Sequence, residues 1–525
     1  MSKVQLRYLY LTAFTSGLTT LGIELTASRL LGVVFGTSNI VWAIIIGLML
    51  LYLTAGYFLG GRWADRQPEK SIFFRVVCWG AFTAGLVPII ARPILRVAAQ
   101  AIFNINVAIL AGSIGVILLA FAVPVTLLGT VSPFAIRLAI QDKESSGQTA
   151  GRMYAWSTVG SIIGTFLPVL VLIPLIGTNL TFLLLAGALL TIGLIGLWQT
   201  DRRQMLRLVW MPIALGVLAV SVLQGPVRPA PPNAKLIYEK ESAYNYIQVA
   251  RWGSANVLFL NEGQGIHSMY FPDSPDTLET KGTWDYFLAA PFFNDPPFAT
   301  SDVKSMALIG LAGGTIARQY TAVFGPIPID GAEIDPAIAR VGREYFGMTE
   351  PNINVIVQDG RLMLDTSPKH YDVIAIDAYR LPYIPWHLTT VEFFQSVHDH
   401  LTERGALAIN VGRTVNDRRL VAAFAATLKQ VFPSVHVIDV PSSCNSIMVA
   451  TMQPTNADSL LANMALLPGD VYPLLPKVLG EATAQLRDAP DDGPVFTDDK
   501  AAVELMTDTL LVNFVLSGDT QIPCR

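Results

Sequence analysis

The chain has 525 residues, enough for two or three domains, and its composition changes sharply near residue 225. Residues 1–224 contain 15 Lys and Arg against 6 Asp and Glu, a balance of +9, whereas residues 225–525 contain 21 against 34, a balance of −13. The acidic second half has neither a basic stripe nor an aromatic-rich RNA motif, which argues against nucleic-acid binding. No group of Cys and His has metal-ligand spacing, so we predict no metal site.

The first half is predicted to form a helical membrane domain, residues 1–224, with about seven spans. Apolar runs of roughly the 20 residues that a span needs occur at 8–33, 39–60, 72–91, 105–131, 153–176, 179–198 and 208–224. The N-terminal run has no A-x-A cleavage motif and is interpreted as an uncleaved first span. We therefore expect an integral membrane protein whose partner is the lipid bilayer, in a bacterial-type inner membrane.

Lys and Arg alternate between these spans in a way that predicts the orientation. The basic segments are the N-terminus, 60–75, 137–152 and 201–207, and the intervening segments carry few cations or none. By the positive-inside rule the N-terminus is cytoplasmic, and an odd number of spans places the acidic second half outside the cytoplasm. If the short run 208–224 does not cross, the second half is cytoplasmic instead.

Two ionisable residues, Glu24 and Arg29, lie within the first apolar run. Ionisable side chains at membrane depth are functional candidates by default. One pair does not make a proton or substrate relay, however, so we interpret them as a charge pair near a helix end, with Arg29 reaching toward the lipid headgroups.

Three cysteines occur in the chain. Cys78 lies in an apolar run and is predicted to pack in the helical domain. Cys444 and Cys524 both lie in the acidic half, where one disulfide between them is an open alternative to two free thiols.

The second half is predicted to contain a linker and two folded parts. Residues 225–235 (GPVRPAPPNAK) are Pro-rich and predict a stiff linker. The alternating runs YNYIQVARW and NVLFLNEG predict a β-hairpin in a small antiparallel subdomain over 236–300. Residues 301–525 contain seven apolar strands interspersed with helical stretches, which predicts a parallel, doubly wound Rossmann-like sheet of methyltransferase design. The strands are SMALIGL, IPIDGAEI, NVIVQDG, DVIAIDA, ALAINVG, VHVIDV and SIMVA.

Glycines and an acid follow the first two of these strands, at the sheet edge where doubly wound folds bind ligands. Gly310, Gly313 and Gly314 form a turn after the first strand, and small residues there let a ligand approach the backbone and the next helix N-terminus. Glu333 ends the second strand, 19 residues after Gly314, a spacing that suits hydrogen bonds to ribose hydroxyls. A glycine turn alone is common in α/β proteins.

Two further acids follow the third and fourth strands. Asp359, next to Gly360 in QDGR, could accept from an exocyclic amine of a base. Asp377, in YDVIAIDAYRLP, could act as a general base or orient an amine, and its alternative is a loop cap. Together with the glycine turn and Glu333, these residues predict a nucleoside site.

The motifs taken in order resemble the spermidine synthase (aminopropyltransferase) family, most closely its membrane-embedded, transporter-like fused branch. The resemblance rests on IELTASRLLG, GRWADR and GRMYAWSTVGSIIG in the first half, and on YNYIQV, LNEGQGIHSMY, GLAGG, AEIDP, QDGR, YDVIAIDAY and FTDDKAAVE in the second. It implies that the glycine turn holds decarboxylated S-adenosylmethionine or a related adenosyl-type donor. It also implies that Glu333 binds the ribose, that Asp359 binds the adenine, and that Asp377 helps to deprotonate the attacking amine.

The sequence departs from that family on the polyamine side of the site. The motif GLAGG lacks the acid that contacts the aminopropyl amine, Arg380 replaces a second aspartate, and Asn245 stands after Tyr244 where a glutamine is usual. We interpret Tyr244, Asn245 and Arg380 as the acceptor side. Because a cation at Arg380 would repel a diamine, ordinary spermidine synthesis is disfavoured; a salt bridge to a neighbouring acid explains Arg380 equally well.

Three functions remain open at this point. The first is a membrane-anchored transferase that uses an adenosyl-type donor on an unknown, lipid-proximal or anionic acceptor. The second is a non-catalytic subunit whose inherited fold binds protein partners in a membrane complex or a homo-oligomer. The third is a transporter, suggested by the Pro- and Gly-interrupted spans. Adenosylmethionine derivatives are cytoplasmic metabolites, so a domain outside the cytoplasm counts against the transferase function.

Overall fold

The computed structural model describes residues 3–35, 39–103, 107–140, 146–226, 228–261, 265–379, 383–441 and 443–516. The chain divides into two compact units. The first, the helical unit, comprises residues 1–231, 239–246 and 261–264. The second, the α/β unit, comprises residues 232–238, 247–260 and 265–525.

The helical unit consists of long apolar helices. They are α1 (Lys3–Phe35), α2 (Asn39–Arg66), α3 (Lys70–Phe103), α4 (Val107–Ala139), α5 (Ser146–Leu167), α6 (Ile173–Thr200), α7 (Arg202–Leu208) and α8 (Trp210–Val222), with a π-helical turn, Pro168–Leu172, between α5 and α6. Six helical stretches among the described residues are long and apolar enough to cross a membrane, judged by length and composition. Cys78 is free and buried in the core of this unit, as predicted.

The longest of these stretches is interrupted near its middle. Ser146–Thr200 has 55 residues, which at 1.5 Å per residue is about 80 Å, more than twice the ~30 Å hydrocarbon core of a bilayer. The backbone is non-helical at Gly177, where φ is 80° and ψ is 166°. The amide of Thr178, just beyond the break, donates to the carboxylate of Glu241. The break separates the two runs that the sequence predicts as separate spans.

Several arginines of the helical unit donate to backbone carbonyls, Arg29 and Arg92 among them. Arg29 donates from Nη1 to the carbonyl of Tyr244 at 3.2 Å and from Nη2 to the carbonyl of Ala243. The structure thus gives Arg29 partners in the protein rather than only the lipid headgroups that the sequence predicted. Arg92 donates from Nη2 to the carbonyls of residues 224–226. A guanidinium group has five N–H donors in a rigid, planar arrangement. It can therefore bond to several backbone carbonyls that have no partner within a helix or sheet.

A small antiparallel sheet follows the helices. Its strands β1 (Ala234–Glu241), β2 (Tyr246–Trp252), β3 (Ala255–Leu260) and β4 (Ile266–Tyr270) are hydrogen-bonded in chain order. The predicted hairpin between β2 and β3 is present, and Trp252 pairs with Ala255 across a two-residue turn in which Gly253 has a φ of +60°. Two-residue hairpin turns favour glycine because they need positive φ. The predicted β-hairpin is confirmed, whereas the bounds 236–300 of its subdomain stay a prediction.

The large domain alternates strands and helices as the sequence predicts. In chain order its elements are β5 (Met306–Ile309), α9 (Thr315–Phe324), β6 (Ile329–Ala332), α10 (Pro336–Tyr345), β7 (Ile353–Ile356), α11 (Gly360–Asp365), β8 (Tyr371–Ile376), α12 (Val391–Asp399), β9 (Leu401–Gly412), α13 (Arg419–Leu428), β10 (Ser434–Asp439), β11 (Asn445–Thr451), α14 (Ala457–Ala465), α15 (Leu474–Ala484), β12 (Leu486–Arg487) and α16 (Val503–Leu516). All seven predicted strands, β5 to β11, are present, and the Rossmann-like fold class is confirmed.

The eight strands of the large sheet lie in the order β12-β10-β11-β9-β8-β5-β6-β7. Strands β5 to β9 pair in parallel, whereas β11 is antiparallel to both β9 and β10. The predicted parallel sheet is therefore wrong at β11. The reason is that only residues 440–444 join β10 to β11, too few for the crossover that parallel neighbours require. The chain changes direction across the sheet between β5 and β8, which places the ligand crevice at their carboxyl ends.

A 3₁₀ helix, Thr283–Phe293, precedes the large sheet, and ten of its eleven residues are buried. The prediction grouped this segment with the small β subdomain. Its aromatic residues Phe287, Phe292 and Phe293 instead belong to the same apolar core as Val373 and Ala406 of the large sheet. Aromatic side chains bury large apolar areas, so this segment contributes strongly to that core.

The acidic half contains two cysteines, Cys444 and Cys524. Cys444, immediately before β11, is disulfide-bonded. Cys524 lies outside the described residues.

Candidate functional site

Gly310 brings the ends of β5 and β8 together. Its φ is +91°, a conformation that costs side-chain-bearing residues free energy. A Cβ on Gly310 would lie 2.5 Å from the carbonyl oxygen of Asp377, and the Asp377 amide donates to the carbonyl of Ile309 at 2.8 Å. The first glycine of the predicted turn and the predicted base are therefore backbone neighbours.

The other predicted glycines lie at the same sheet edge and are closely packed. The amide of Gly313 donates to Ser268 Oγ at 2.8 Å, so β4 supports the turn. Gly314 precedes the first residue of α9. Gly360 is the first residue of α11, and a Cβ there would collide with the side chain of Ile309. Close packing against Ile309 is therefore enough to explain why a glycine occupies position 360.

Glu333 is turned toward the glycine turn. It is 7% exposed, its Oε2 accepts from the Ala312 amide at 3.0 Å, and its Oε1 accepts from the Asp335 amide at 3.0 Å. Burial raises the pKa of Glu333 to about 7, and the backbone amides of Asp335, Ala312 and Ile334 act in the opposite direction. Because a carboxylate has about four acceptor sites, this one retains capacity for further donors.

Asp359 caps the helix that follows β7. Its Oδ1 accepts from the amides of Arg361 at 3.0 Å and Leu362 at 3.2 Å, which is an N-cap of α11. Its Oδ2 lies 2.9 Å from His387 Nε2, and this hydrogen bond lowers the pKa of Asp359. Asp359 is therefore an ionised, partly exposed carboxylate, and His387 is a neighbour that the sequence did not reveal.

Asp377 accepts hydrogen bonds from two uncharged side chains, and its pKa is raised. Its Oδ1 accepts from Asn410 Nδ2 at 2.9 Å, and it also accepts from the Trp284 side chain. Burial raises the pKa of Asp377 to about 7, and the two donors oppose that effect. A carboxylate with a pKa near neutrality can accept a proton efficiently at neutral pH.

A chain of side-chain amides continues from Asp377 across the sheet. Asn445 Nδ2 donates to Asn410 Oδ1 at 2.8 Å, and Ser443 Oγ donates to Asn445 Oδ1 at 2.8 Å. Tyr379 donates its hydroxyl to the Asn410 carbonyl at 3.0 Å. Sequence reasoning missed these residues. The sequence did contain one signal for them: the apolar strands β9 and β11 each contain an asparagine, Asn410 and Asn445. A buried side-chain amide needs hydrogen-bond partners.

Three exposed apolar side chains are close in sequence to the two acids Glu333 and Asp359. Ile334 follows β6 and is 43% exposed, Val357 follows β7 and is 52% exposed, and Leu362 in α11 is 51% exposed. Ligand sites combine apolar walls with a few polar groups, and such side chains suit a planar heterocycle. Sequence reasoning missed this set as well, although Ile334 and Val357 directly follow strands.

The predicted acceptor residues Tyr244 and Asn245 do not belong to the same compact unit as the predicted base. Tyr244 and Asn245 belong to the helical unit, whereas Asp377 belongs to the α/β unit. Their amides donate to Ser242 Oγ at 3.1 Å and 2.8 Å, which forms a tight turn. Their role as substrate ligands stays a prediction. Arg380 lies outside the described residues.

The fold and this edge define a class of protein. A glycine turn at the switch point, with acids after the second, third and fourth strands, is an arrangement found in Rossmann-like domains.

Comparison with known proteins gives the finer class for this part of the chain. Residues 298–461 match the Spermine/spermidine synthase domain family. The chain is 33% identical over 226 residues to a probable polyamine aminopropyl transferase of Bifidobacterium longum, covering 42% of this chain and 47% of that protein. It is 25% identical over 227 residues to the polyamine aminopropyltransferase of Vibrio vulnificus, covering 42% and 73%. The chain thus spans about half the length of the first of these relatives, and its α/β part is spermidine synthase-like.

Among solved structures, a probable spermidine synthase from Corynebacterium glutamicum aligns with a TM-score of 0.39 and 20% identity, covering 56% of this chain and 96% of that one.

Proposed function

We propose that the α/β unit binds an adenosyl-type ligand and transfers an alkyl group from its sulfur to an acceptor amine. The observation that carries the proposal is Asp377, a carboxyl group with a pKa of about 7 placed at the switch point beside Gly310. The match to the Spermine/spermidine synthase domain and the name of the Bifidobacterium longum relative support the same class of reaction.

The residues at the crevice fit an adenosyl group. Glu333 has acceptor capacity left for ribose hydroxyls, and Ile334, Val357 and Leu362 offer apolar surface for a base. Asp359 is ionised and partly exposed, as an acceptor for an exocyclic amine requires. When bound, an adenosyl sulfonium supplies an electrophilic carbon.

The reaction needs a base and a position for the amine. The acceptor nitrogen attacks the carbon next to sulfur, the new carbon–nitrogen bond replaces the carbon–sulfur bond, and the bonding pair stays on sulfur as a thioether. The proton released from nitrogen goes to the carboxylate of Asp377, whose two donors, Asn410 and Trp284, orient it. The protein's contribution is positioning and proton transfer.

The acceptor is proposed to be an amine other than a diamine. The described side chains that bond to Asp377, those of Asn410 and Trp284, are neutral. The glycine turn GLAGG contains no acid. A second cationic amine would therefore find no carboxylate partner in these positions, and a buried charge without a partner is strongly disfavoured.

Binding of methylthioadenosine tests the nucleoside part of the proposal. We expect the full-length protein in detergent to bind this nucleoside thioether, and Glu333→Gln to weaken binding by about tenfold or more, because an amide cannot accept with both of its polar atoms. Isothermal titration calorimetry measures both affinities. Glu279→Gln is a matched control, since Glu279 is ion-paired with Lys477 at the surface and should leave binding unchanged.

Absence of methylthioadenosine binding to the unmodified protein would reject the transferase. The α/β unit would then be interpreted as a non-catalytic subunit, in which Glu333 stabilises the glycine turn through its bonds to two backbone amides.

We further propose that the helical unit anchors the protein in a membrane with the α/β unit outside the cytoplasm. The alternating Lys and Arg support this side. Arg92, in a predicted outer segment, bonds to residues 224–226 at the end of α8, which supports a crossing by α7 and α8. An adenosyl-type ligand would then have to be present on that face.

Reporter fusions test the orientation. Alkaline phosphatase fused to the C-terminus is expected to be active and a green fluorescent protein fusion to be dark, because the first folds only outside the cytoplasm. The same reporters fused after Arg207, before α8, should give the opposite result. A fluorescent C-terminal fusion would contradict the proposed side and place the domain with the cytoplasmic adenosyl pool.

A further inference from the structure

A second polar pocket lies at the same edge of the large sheet. Strands β9 and β10 are both antiparallel to β11, so their carboxyl ends face the edge that carries Asp377. Three arginines, Arg413, Arg418 and Arg487, line the pocket around Asp439, the last residue of β10. We call this the arginine pocket.

The cations of the arginine pocket outnumber its acids. Arg418 Nη1 lies 2.7 Å from Asp439 Oδ2, Arg413 Nε lies 3.3 Å from Oδ1, and Arg487 Nε lies 3.5 Å from Oδ2. Asp488, the other acid that lines the pocket, is exposed at the rim. One buried carboxylate is therefore shared by three guanidinium groups, and the pocket keeps a positive surplus even when Asp488 is counted.

Part of this positive charge is buried without hydrogen-bond partners. The Arg413 side chain is 11% exposed, and burial lowers the pKa of its guanidinium while Asp439 opposes that effect. Arg418 Nη2 has no hydrogen-bond partner among the described residues, and Arg413 Nε, although 3.3 Å from Asp439 Oδ1, forms no hydrogen bond with a described residue. Buried donors left unpaired are costly, and an anion with several oxygens satisfies such donors.

We propose that the arginine pocket binds the oxyanion group, phosphate or carboxylate, of a small molecule. Guanidinium forks recognise these groups through paired, charge-assisted hydrogen bonds. The apolar residues Val440 and Pro441 form part of the wall, so the bound group is attached to an organic molecule rather than fully hydrated.

The pocket is joined to the proposed base by hydrogen bonds. Arg413 Nη2 donates to the Ser443 carbonyl at 3.3 Å, and the side chains of Ser443, Asn445 and Asn410 continue to Asp377. If the proposed transferase function holds, on which this step rests, the oxyanion is the far end of the acceptor. The acceptor then carries an amine near Asp377 and an anionic group in the arginine pocket.

Titration with inorganic phosphate tests the site on the full-length protein in detergent. At constant ionic strength set with sodium chloride, we expect saturable phosphate binding by calorimetry, weakened about tenfold or more in Arg418→Gln, because one charge-assisted donor pair is lost. Arg419→Gln is the matched control, since Arg419 is an exposed neighbour that pairs with Asp417 outside the pocket. It should bind phosphate as the unmodified protein does.

Two results would overturn the proposal: no saturable binding of either phosphate or succinate, or equal affinities in the unmodified protein and Arg418→Gln. Should Arg418→Gln fail to fold, Arg487→Gln, at a side chain that is 47% exposed, provides the same comparison. A parallel titration with succinate assigns the preference between phosphate and carboxylate. Because no nucleoside is used, failure here leaves the methylthioadenosine result standing, and failure of that result leaves this one standing.

Discussion

Replacing Gly310 with alanine is expected to lower the free energy of unfolding of the protein by about 2–5 kcal/mol. A left-handed backbone costs a residue with a Cβ about 1–2 kcal/mol, and the φ of Gly310 is +91°. The added Cβ would also lie 2.5 Å from the Asp377 carbonyl oxygen, and overpacking of this kind costs about 1–3 kcal/mol more. Thermal unfolding of the detergent-solubilised protein, followed by intrinsic fluorescence, measures the change.

The chain offers a glycine that should behave in the opposite way. Gly480 lies in the exposed face of α15, and nothing lies within 4 Å of a Cβ added there. Gly480→Ala is expected to stabilise the protein by about 0.5–1 kcal/mol through helix propensity and a less flexible unfolded chain. If Gly310→Ala unfolds at the temperature of the unmodified protein, the described contact between the ends of β5 and β8 is wrong.

Asp377→Asn is expected to slow transfer strongly while stabilising the protein at alkaline pH. Removal of a general base costs about 10²–10⁴-fold in rate. The measurement is release of methylthioadenosine from decarboxylated S-adenosylmethionine, with amino acids and phosphorylated amines offered as acceptors. Binding of methylthioadenosine itself should change little, because Asp377 is assigned to the acceptor rather than to the nucleoside.

The stability effect follows from the raised pKa of Asp377, about 7 in the folded protein against an ordinary value of 3.8. The folded state binds more protons than the unfolded state between these values, so stability is full below pH 3.8 and falls as pH rises to about 7. Asparagine does not titrate and removes this loss. We expect Asp377→Asn to be more stable than the unmodified protein at pH 8 by about 1–2 kcal/mol, or about 2–6 °C in Tm.

Glu333, whose pKa is also raised to about 7, should leave part of the pH dependence in place in this variant. Asp458→Asn is the control, because Asp458 is exposed in the first turn of α14 and should change stability by less than about 0.5 kcal/mol at either pH. A variant at Asp377 that lost stability equally at pH 5 and pH 8 would show that burial does not perturb this carboxyl group.

Periodicity explains why the fold was predictable. The runs SMALIGL and DVIAIDA are apolar on both faces, which only a sheet covered on both sides accommodates. The glycine turn and Glu333 were predictable for the same local reason, because residues that end parallel strands meet at one edge. The reversed direction of β11 depends on a short connection within the sheet. It could have been inferred from residues 440–444, although the apolar pattern alone does not report direction.

The partners of the site residues were not predictable. Trp284 and Asn410 reach Asp377 from segments 93 residues before it and 33 residues after it, and His387 reaches Asp359 from beyond the next strand. The arginine pocket likewise combines Arg413, Arg418 and Arg487 around Asp439, residues with no common motif.

The apolar, charge-poor first half, the doubly wound second half and the carboxylates that end the strands were all predictable from the chain, because these properties follow from local composition and period. Two properties became visible only in the folded protein: the burial that raises the pKa values of Asp377 and Glu333, and the sharing of Asp439 by three arginines. The burial of a carboxyl group and the net charge of a pocket depend on side chains that are distant in the sequence. Packing of the whole domain brings these side chains together, so no single segment of the sequence reveals them.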